Sequence, residues 1–433
     1  MAKKIFLLSF LLLSMTLFFT TAFSQQQRKT VLVIKVGGVI NPVSAEFIGK
    51  SIQRADKIHA EALVIELDTP GGLDTSMRSI IKDILNSTVP VITYVSPSGA
   101  RAASAGVFIA MASHIAAMAV GTNIGAAHPV TIGEKMDKTM SEKATNDAAA
   151  YIKSLAERNG RNAVWAEDAV RKSISATESE ALKEHIIDVI SKDTDGLLKA
   201  VDGRKVTTVS GEKTLRTAQA VIVREEMGFR YKILDFISDP SVAYMLMLLG
   251  FYGLFFEFTN PGSIFPGVAG AIFLILAFYS FQTLPVNYAG LLLIILALIL
   301  FILEVKIISH GVLAIGGIVS MVIGSLMLFE SPAPFLKLSI YLILPAVIVT
   351  ALFFLLTVRL AYRASRRSPV TGSEGLVGLE GKAAADITKE GGMVRVRGEI
   401  WSAFSEEAIK KGEAVVISAV SGLKIKVKKK EVV

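Results

Sequence analysis

Hydrophobic residues in the first part of the chain fall into short runs that alternate with segments of helical periodicity. The β-branched run Val31–Val36 predicts a strand, and the apolar positions of Pro42–Ala55 recur at the spacing of an amphipathic helix. The alternation continues with predicted strands at Ala62–Leu67, Val89–Val95 and Ile115–Ala119 and predicted helices at Leu73–Leu85 and Ser104–Ser113. This order predicts an α/β domain with a mostly parallel sheet, and the apolar strands fit burial on both faces.

Five apolar stretches follow, each near the ~20 residues needed to cross the hydrocarbon core of a bilayer. They are Val242–Phe258, Ile264–Leu284, Ala289–Val305, Val312–Phe329 and Leu338–Val358. A soluble core helix is seldom apolar on every face, so the series predicts an all-α membrane domain at residues 240–358. The stretches are rich in glycine, which we expect to serve packing within the chain. Glu257 and Glu304 lie near span ends and are either functional carboxylates or interfacial anchors.

Two charge patterns predict one membrane topology. Lys3 and Lys4 precede an uncharged run and then small residues, which predicts a signal peptide at residues 1–24, with an uncleaved anchor as the alternative. Basic residues, which collect on cytoplasmic flanks, follow the fifth stretch at Arg359, Arg363, Arg366 and Arg367. We therefore expect a multi-pass protein of the cell (inner) membrane, with residues 25–230 outside the cytoplasm and residues 359–433 inside.

The C-terminal segment, residues 372–433, repeats short strand patterns between glycines. The five predicted strands are Gly381–Ile387, Gly392–Gly398, Glu399–Phe404, Glu413–Val420 and Leu423–Lys428. Five short strands predict a small all-β barrel. We expect Trp401 to lie in its core rather than to contact a partner. The basic Lys428–Lys430 run suits a tail near an anionic leaflet better than nucleic-acid binding, so no nucleic acid is expected.

The composition limits the kinds of catalytic and metal sites that the chain can form. The 433 residues are 52% hydrophobic and 19% charged, which fits a membrane block flanked by two water-facing domains. There is no cysteine, which excludes disulfides, thiolate metal sites and a cysteine nucleophile. The five histidines never stand four residues apart, so a histidine-built zinc site is not expected. We therefore expect no metal and no cofactor.

The candidate chemistry lies in loops that follow predicted strands. Gly71 and Gly72 follow the second strand and could turn backbone N–H groups towards an oxyanion, although Pro-Gly-Gly alone also marks an ordinary turn. Ser104 lies at a strand-to-helix junction, where it is either a nucleophile or a helix N-cap. Lys143 precedes a helix predicted at Ala148–Arg158, whose N-terminus would favour the neutral amine of a general base. The alternative for Lys143 is a solvated surface lysine.

These elements together resemble the long form of the NfeD family, membrane-bound serine proteases of the ClpP/crotonase superfamily. The resemblance rests on Asp68–Gly72, Ala102–Gly106, Gly121–Pro129, Lys143 with Asn146 and Tyr151–Ala156, and, in the membrane region, Asp239-Pro240, Glu257–Gly262 and Leu284–Asn287. It covers nearly the whole chain after the signal peptide. It implies a ClpP/crotonase-like fold for the first domain and an OB-fold for the C-terminal barrel.

The resemblance also implies a function. It places a Ser–Lys dyad on Ser104 and Lys143 and the oxyanion role on the backbone of Gly71 and Gly72. Lys153 and His128 are the competing bases. The implied activity is endopeptidase cleavage of apolar segments in stomatin- or prohibitin-like membrane proteins, by a homo-oligomer that is a dimer or larger. The alternatives are a non-catalytic scaffold for such partners and, more remotely, a crotonase-type reaction on a CoA ester.

Overall fold

A computed structural model gives the structure of the chain. It describes residues 29–130, 137–259, 262, 264–282, 284, 286–307, 309, 311–329, 331, 337–365 and 373–430. The predicted signal peptide lies outside the described residues. By its internal contacts the chain divides into two compact units, Met1–Leu298 with Gly316–Val347 and Ile299–Ile315 with Ile348–Val433.

The first unit is built on a six-stranded sheet in which every strand pairing is parallel. The strands, in spatial order, are β11 (Val221–Glu225), β1 (Thr30–Gly37), β2 (Ala62–Asp68), β3 (Val91–Val95), β5 (Ile115–Met118) and β8 (Val189–Ile190). Alternate residues of β1 belong to two different hydrophobic cores. Leu32 and Ile34 lie in one core, and Val31 and Val33 lie in the other. Because successive side chains of a strand point to opposite faces, both faces of the sheet are buried, as the apolar strands predicted.

Seven helices of the described residues cover this sheet. They are α1 (Pro42–Lys57), α2 (Asp74–Leu85), α3 (Ala105–Ala112), α4 (Lys138–Arg158), α5 (Ala163–Arg171), α6 (Glu178–Lys183) and α7 (Thr194–Ala200). A smaller sheet, in the order β4 (Arg101–Ala103), β6 (Asn123–Gly125) and β7 (Ser175–Thr177), lies beside α3. The alternation predicted from hydrophobic spacing is therefore present, with boundaries shifted by one or two residues.

One sequence prediction about this unit is wrong in detail. The helix predicted to begin at Ala148 begins at Lys138, because Asp137 caps it by accepting from the N–H of Met140 at 2.8 Å. The segment after Asp202 contains three strands. After a hairpin of β9 (Lys205–Thr208) and β10 (Gly211–Thr214), strand β11 returns to pair with β1. A further helix, α8 (Phe229–Ile237), then leads to the apolar region.

In the part of the chain that the structure describes, five apolar helices follow, at the positions of the predicted stretches. They are α9 (Pro240–Thr259), α10 (Ile264–Phe281), α11 (Tyr288–Lys306), α12 (Val312–Leu328) and α13 (Ile340–Ser365). Among the described residues, α9 and α10 are long and apolar enough to cross a membrane, and the apolar parts of the other three are slightly shorter. Glycines bring helices together, since a Cβ on Gly253 would lie 2.7 Å from the Cα of Gly270.

Glu304 has a structural explanation in the second unit. Its carboxylate accepts from the N–H groups of Gly311 at 3.0 Å and Ala314 at 3.2 Å, and from the hydroxyl of Ser309. These N–H groups lie at the start of α12, where a helix leaves backbone donors unpaired. Glu304 is therefore a helix-capping carboxylate, which fits neither of the two roles expected from its place near a span end.

The C-terminal residues form a closed five-stranded barrel in the second unit. Its strands are β12 (Glu380–Ala383), β13 (Gly392–Val396), β14 (Glu399–Phe404), β15 (Ala414–Ser421) and β16 (Lys424–Lys429), closed in the order β12-β13-β14-β16-β15. Strands β14 and β16 run parallel and the other pairs antiparallel. Trp401 packs against the barrel core, and its indole N–H donates to Glu399 at 3.2 Å.

Candidate active site

The Gly-Gly loop after β2 is shaped by contacts that only glycine permits. Gly71 has φ +123°, and a Cβ there would lie 2.7 Å from the Cβ of Ser104 and 3.1 Å from its Oγ. A Cβ on Gly72 would lie 2.1 Å from the carbonyl oxygen of Ile40. The backbone of Gly71 therefore lies directly against the side chain of Ser104, two segments that are 33 positions apart in the sequence.

Ser104 occupies a strained turn between β4 and α3. Its backbone has φ 52° and ψ −114°, outside the regions that serine ordinarily adopts. Ser104 is the N-cap residue of α3, but its side chain makes no capping hydrogen bond. The serine therefore does not act as an ordinary helix cap, which was the alternative to a nucleophile. A strained strand-to-helix turn is how α/β hydrolases present a serine nucleophile, and strain of this kind clusters at functional sites.

Main-chain hydrogen bonds join the two loops. The N–H of Thr69 donates to the carbonyl of Arg101 at 2.8 Å, and the N–H of Ala103 donates to the carbonyl of Thr69 at 3.0 Å. Gly106 fits against Thr69, since a Cβ there would meet the Thr69 methyl at 2.7 Å. Thr69 was not singled out from the sequence, although it links the Gly-Gly loop to the Ser104 turn.

The backbone N–H groups of the two loops differ in whether they already have an acceptor. The N–H of Gly71 donates to Thr69 Oγ1 at 3.0 Å. The N–H groups of Gly72 and Ala105, by contrast, donate to no acceptor among the described residues. Ala105 is the first residue of α3, where N–H groups are unpaired and the helix dipole is positive. The sequence signal for Ala105 was its position directly after a serine at a strand-to-helix junction.

Lys143 lies within the first half of α4 and is exposed. Asp147 and Tyr151 follow it at intervals of four residues, so the three share one helix face. Asp147 pairs with Arg78 of α2, and the Tyr151 ring lies 6.1 Å from the ring of Phe108 of α3. Burial raises the pKa of the Tyr151 phenol, while Arg78 opposes that rise. The residues four and eight positions after Lys143 therefore contact the two helices that begin after the Gly-Gly loop and at Ser104.

The structure does not join Lys143 to Ser104 by a hydrogen bond within the part of the chain that it describes. Residues 131–136, which precede α4, lie outside that part. Lys143 makes no ion pair with any described residue, whereas Lys153 pairs with Glu167 at 3.2 Å and lies on a different face of α4. Of the two lysines, Lys143 is thus the one without a fixed partner among these residues.

His128, the other candidate base, lies in a half-buried loop that is hydrogen-bonded to α5. Its Nδ1 is 2.9 Å from the carbonyl of Val170, an acceptor, so Nδ1 carries the proton and Nε2 is left with a lone pair. The backbone of Ala127 is held by Ala169 at 2.9 Å. His114 lies elsewhere, half-buried at the start of β5. Burial lowers its pKa to about 4, and it accepts from the N–H of Val91 at 3.1 Å, so it is a neutral, satisfied core residue.

Arg161 fixes the far end of the helix that carries Ser104 at its start. Arg161 is 6% exposed, and its guanidinium donates to the carbonyls of Ala110, Met111 and Ser113 at 2.9–3.0 Å, and to Asp188 at 2.8 Å. These carbonyls end α3, where a cation complements the helix dipole. Sequence reasoning missed Arg161, because nothing in its local sequence shows which carbonyls surround it.

No group of three or more potential metal ligands occurs among the described residues. At the Ser104 turn the structure brings together a hydroxyl and unpaired backbone N–H groups. These are two of the groups that acyl transfer uses.

Comparison with known families covers all three parts of the chain. Residues 30–201 match the N-terminal domain of NfeD1b, residues 241–359 the NfeD integral membrane domain, and residues 373–429 the NfeD-like C-terminal, partner-binding domain. The chain is 38% identical over 427 residues to the membrane-bound protease PH1510 of Pyrococcus horikoshii, covering 95% of this chain and 96% of the relative.

Two further comparisons cover parts of the chain. The membrane protein NfeD1b of Bacillus subtilis is 28% identical over 339 residues, 77% of this chain and 74% of that protein. A solved structure of the 1510-N membrane-bound stomatin-specific protease, a lysine-to-alanine mutant with a substrate peptide, is 37% identical. It covers 49% of this chain and 98% of its own, with a TM-score of 0.46.

Proposed function

This chain belongs to the NfeD family, and on that premise we propose that it is a membrane-anchored serine endopeptidase with Ser104 as nucleophile and Lys143 as general base. Its relative over 95% of the chain is a membrane-bound protease. The observation that carries the proposal is the strained turn at Ser104. Its side chain lies against Gly71, at the positive end of α3 and without a capping role. A serine that only capped the helix would adopt an extended backbone and accept from the second or third N–H.

The mechanism that we propose is acyl transfer by this pair. Lys143 takes the proton of Ser104 Oγ as that oxygen attacks a peptide carbonyl, and a tetrahedral intermediate forms. The N–H groups of Gly72 and Ala105 stabilise the tetrahedral oxyanion, and Gly71 keeps the space beside Ser104 free of a side chain. Lys143 then returns the proton to the leaving amine, the C–N bond breaks and the acyl-enzyme remains. Water, deprotonated by Lys143, attacks the ester and releases the acyl group, and Ser104 regains its proton.

The membrane region supports an anchored, multi-pass arrangement. We place the α/β domain, residues 25–230, outside the cytoplasm and the barrel inside, because Arg359, Arg363, Arg366 and Arg367 follow the fifth predicted apolar stretch, Leu338–Val358. The barrel, whose five strands close with β14 parallel to β16, suits an OB-fold. We propose that it binds a stomatin- or prohibitin-like partner, the class of protein whose apolar segment would be the substrate, and that the working enzyme is a homo-oligomer.

The test uses the full chain in detergent micelles with a hydrophobic peptide substrate. Ser104→Ala and Lys143→Ala are each expected to lower kcat by at least ~10³-fold, because nucleophile and base act as a unit. Lys153→Ala is the matched control, since Lys153 is on the same helix but pairs with Glu167, and it is expected to keep its activity. A serine-reactive phosphonate should label the wild type at Ser104.

The other outcomes separate the alternatives. Loss of activity in His128→Ala, with Lys143→Ala active, would move the base to His128. Full cleavage by Ser104→Ala would reject the serine mechanism. An intact chain that neither cleaves peptide nor reacts with the phosphonate would favour the non-catalytic scaffold.

A further inference from the structure

Helix α8, Phe229–Ile237, has an apolar face that nothing in the described chain covers. Phe229 is 81% exposed, Phe236 65% and Ile233 40%. Their spacings of four and three residues place them in one stripe along the helix. A contiguous exposed stripe with two phenylalanines is unusual on a water-facing surface and marks an interaction site. We refer to these three residues as the α8 stripe.

The opposite face of α8 is fixed to the α/β domain. Tyr231 packs on Phe47 with ring centroids 5.7 Å apart, and its hydroxyl donates to Glu46 at 3.2 Å. Asp235, four residues on, accepts from the side-chain amide of Asn41 at 2.7 Å. These contacts fix the orientation of the helix, so the packing of Tyr231 and Asp235 on the domain leaves the stripe exposed.

The C-terminal end of α8 lies next to two apolar helices, α9 and α10. Only Ser238 and Asp239 separate Ile237 from Pro240, where the apolar helix α9 begins, and two residues span at most ~7 Å. The family model of an integral membrane domain begins at residue 241. The hydroxyl of Ser280, near the end of α10, also donates to the carbonyl of Ile237. The end of α8 is thus held at the end of two apolar helices, at the depth where a bilayer surface would lie.

We propose that α8 is an interfacial helix whose stripe lies in the headgroup region of the bilayer and holds the α/β domain at the membrane surface. Amphipathic helices lie in this plane with the apolar face inward and basic residues beside it. Arg230 and Lys232 flank the stripe, and their long side chains can bury their stems while the charges stay in water. The occupant of this surface is lipid.

The position of α8 also bears on substrate entry, a consequence that rests on the proposed function. A cavity of about 370 Å³ is lined on one side by Gly38 and Leu73 and on the other by Phe236 and Val242. Leu73 directly follows Gly72 of the candidate oxyanion loop. Because Phe236 belongs both to the stripe and to the cavity wall, this cavity would open at the bilayer surface. An apolar segment that leaves the membrane would therefore meet it first.

Spin labelling tests the placement of α8. The chain has no cysteine, so Phe229→Cys, Ile233→Cys and Phe236→Cys each give a single labelling site in the full protein. In phosphatidylcholine vesicles, labels at these positions should be more accessible to oxygen than to a water-soluble nickel complex. Val164→Cys, a 71% exposed position on α5, is the control and should show the opposite preference. Stripe labels that the nickel complex reaches as readily as the control would overturn the proposal.

A second experiment tests the consequence for cleavage. The triple variant Phe229→Ser, Ile233→Ser and Phe236→Ser should cleave a vesicle-embedded substrate at least ~10-fold more slowly, yet cleave a soluble peptide normally. The matched control, Val164→Ser with Val209→Ser, replaces exposed apolar residues away from α8 and should leave both rates unchanged. Equal losses on both substrates would reject the role in substrate entry. A wild type without protease activity would reject the proposed function, while the spin labels still decide where α8 lies.

Discussion

At the scale of residues, the candidate site depends on glycines, which have no side chain, beside Ser104. Gly71 leaves room for the serine side chain and adopts a backbone conformation that other residues rarely adopt. Gly106 lets α3 start directly against Thr69. Small residues surround the serine for a steric reason, since a single Cβ at either glycine would push the two loops apart.

Gly71→Ala should separate catalysis from stability. A Cβ only 2.7 Å from that of Ser104 must displace the serine or the loop, so we expect kcat to fall about 10²-fold, the scale of a lost oxyanion contact. Gly203→Ala is the control, because Gly203 also has positive φ, +75°, but no atom within 4 Å of its Cβ position. It should cost about 1 kcal/mol of folding free energy and leave peptide cleavage intact. Full activity in Gly71→Ala would contradict the site geometry.

The residue scale also shows where local sequence was sufficient. Gly71, Gly72 and Ser104 could be singled out because each stands at the end of a predicted strand or the start of a predicted helix. Arg161 could not, since its role is defined by carbonyls about 50 residues earlier in the chain. Lys143 could be named, but its environment could not, because the start of α4 depends on the cap at Asp137.

At the scale of elements, α3 is the short helix on which the site depends. Each of its eight residues is buried, with Ser104 at its start and the Arg161 guanidinium at its end. Asn159 adds a hydrogen bond from its side-chain amide to the carbonyl of Met111 at 2.7 Å. Asn159 and Arg161, in the loop after α4, therefore cap the C-terminal end of α3. Through this loop, α4, which contains Lys143, is connected to α3, which begins directly after Ser104.

Arg161→Met should destabilise the domain by about 3 kcal/mol, because Asp188 and the carbonyls that end α3 lose their donor. Arg54→Met is the matched control. Arg54 makes an exposed pair with Glu225 at 3.2 Å, which is expected to contribute less than about 1 kcal/mol. Urea unfolding followed by Trp165 emission, in a Trp401→Phe background, measures both. Equal effects of the two substitutions would show that Arg161 does not hold α3.

At the scale of the whole molecule, the membrane topology decides which domain meets which compartment. The α/β domain and the barrel both present exposed positions suited to labelling, namely Val164 at 71% and Leu423 at 86%. The proposed arrangement of five spans would place one of these positions outside the cell membrane and the other inside. The basic residues after the fifth apolar stretch predict that the barrel is inside, since such residues are retained on the cytoplasmic side.

Single-cysteine labelling in cells checks that topology. A membrane-impermeant maleimide applied to spheroplasts should label Val164→Cys directly and Leu423→Cys only after permeabilisation. The cysteine-free wild type serves as the blank. Direct labelling of both positions, or of Leu423→Cys alone, would contradict an odd number of spans or the proposed orientation.

The sequence by itself determined the series of elements: the parallel α/β domain, five apolar helices and a five-stranded barrel. It could do so because hydrophobic periodicity and chain length are local properties. Only the tertiary structure decided that β11 pairs with β1 and that the Gly71 N–H donates to Thr69. It also decided that Glu304 caps α12 and that the α8 stripe is exposed. Each of these depends on which distant groups share a hydrogen bond or a contact surface, and the spacing of residues along the chain does not contain that information.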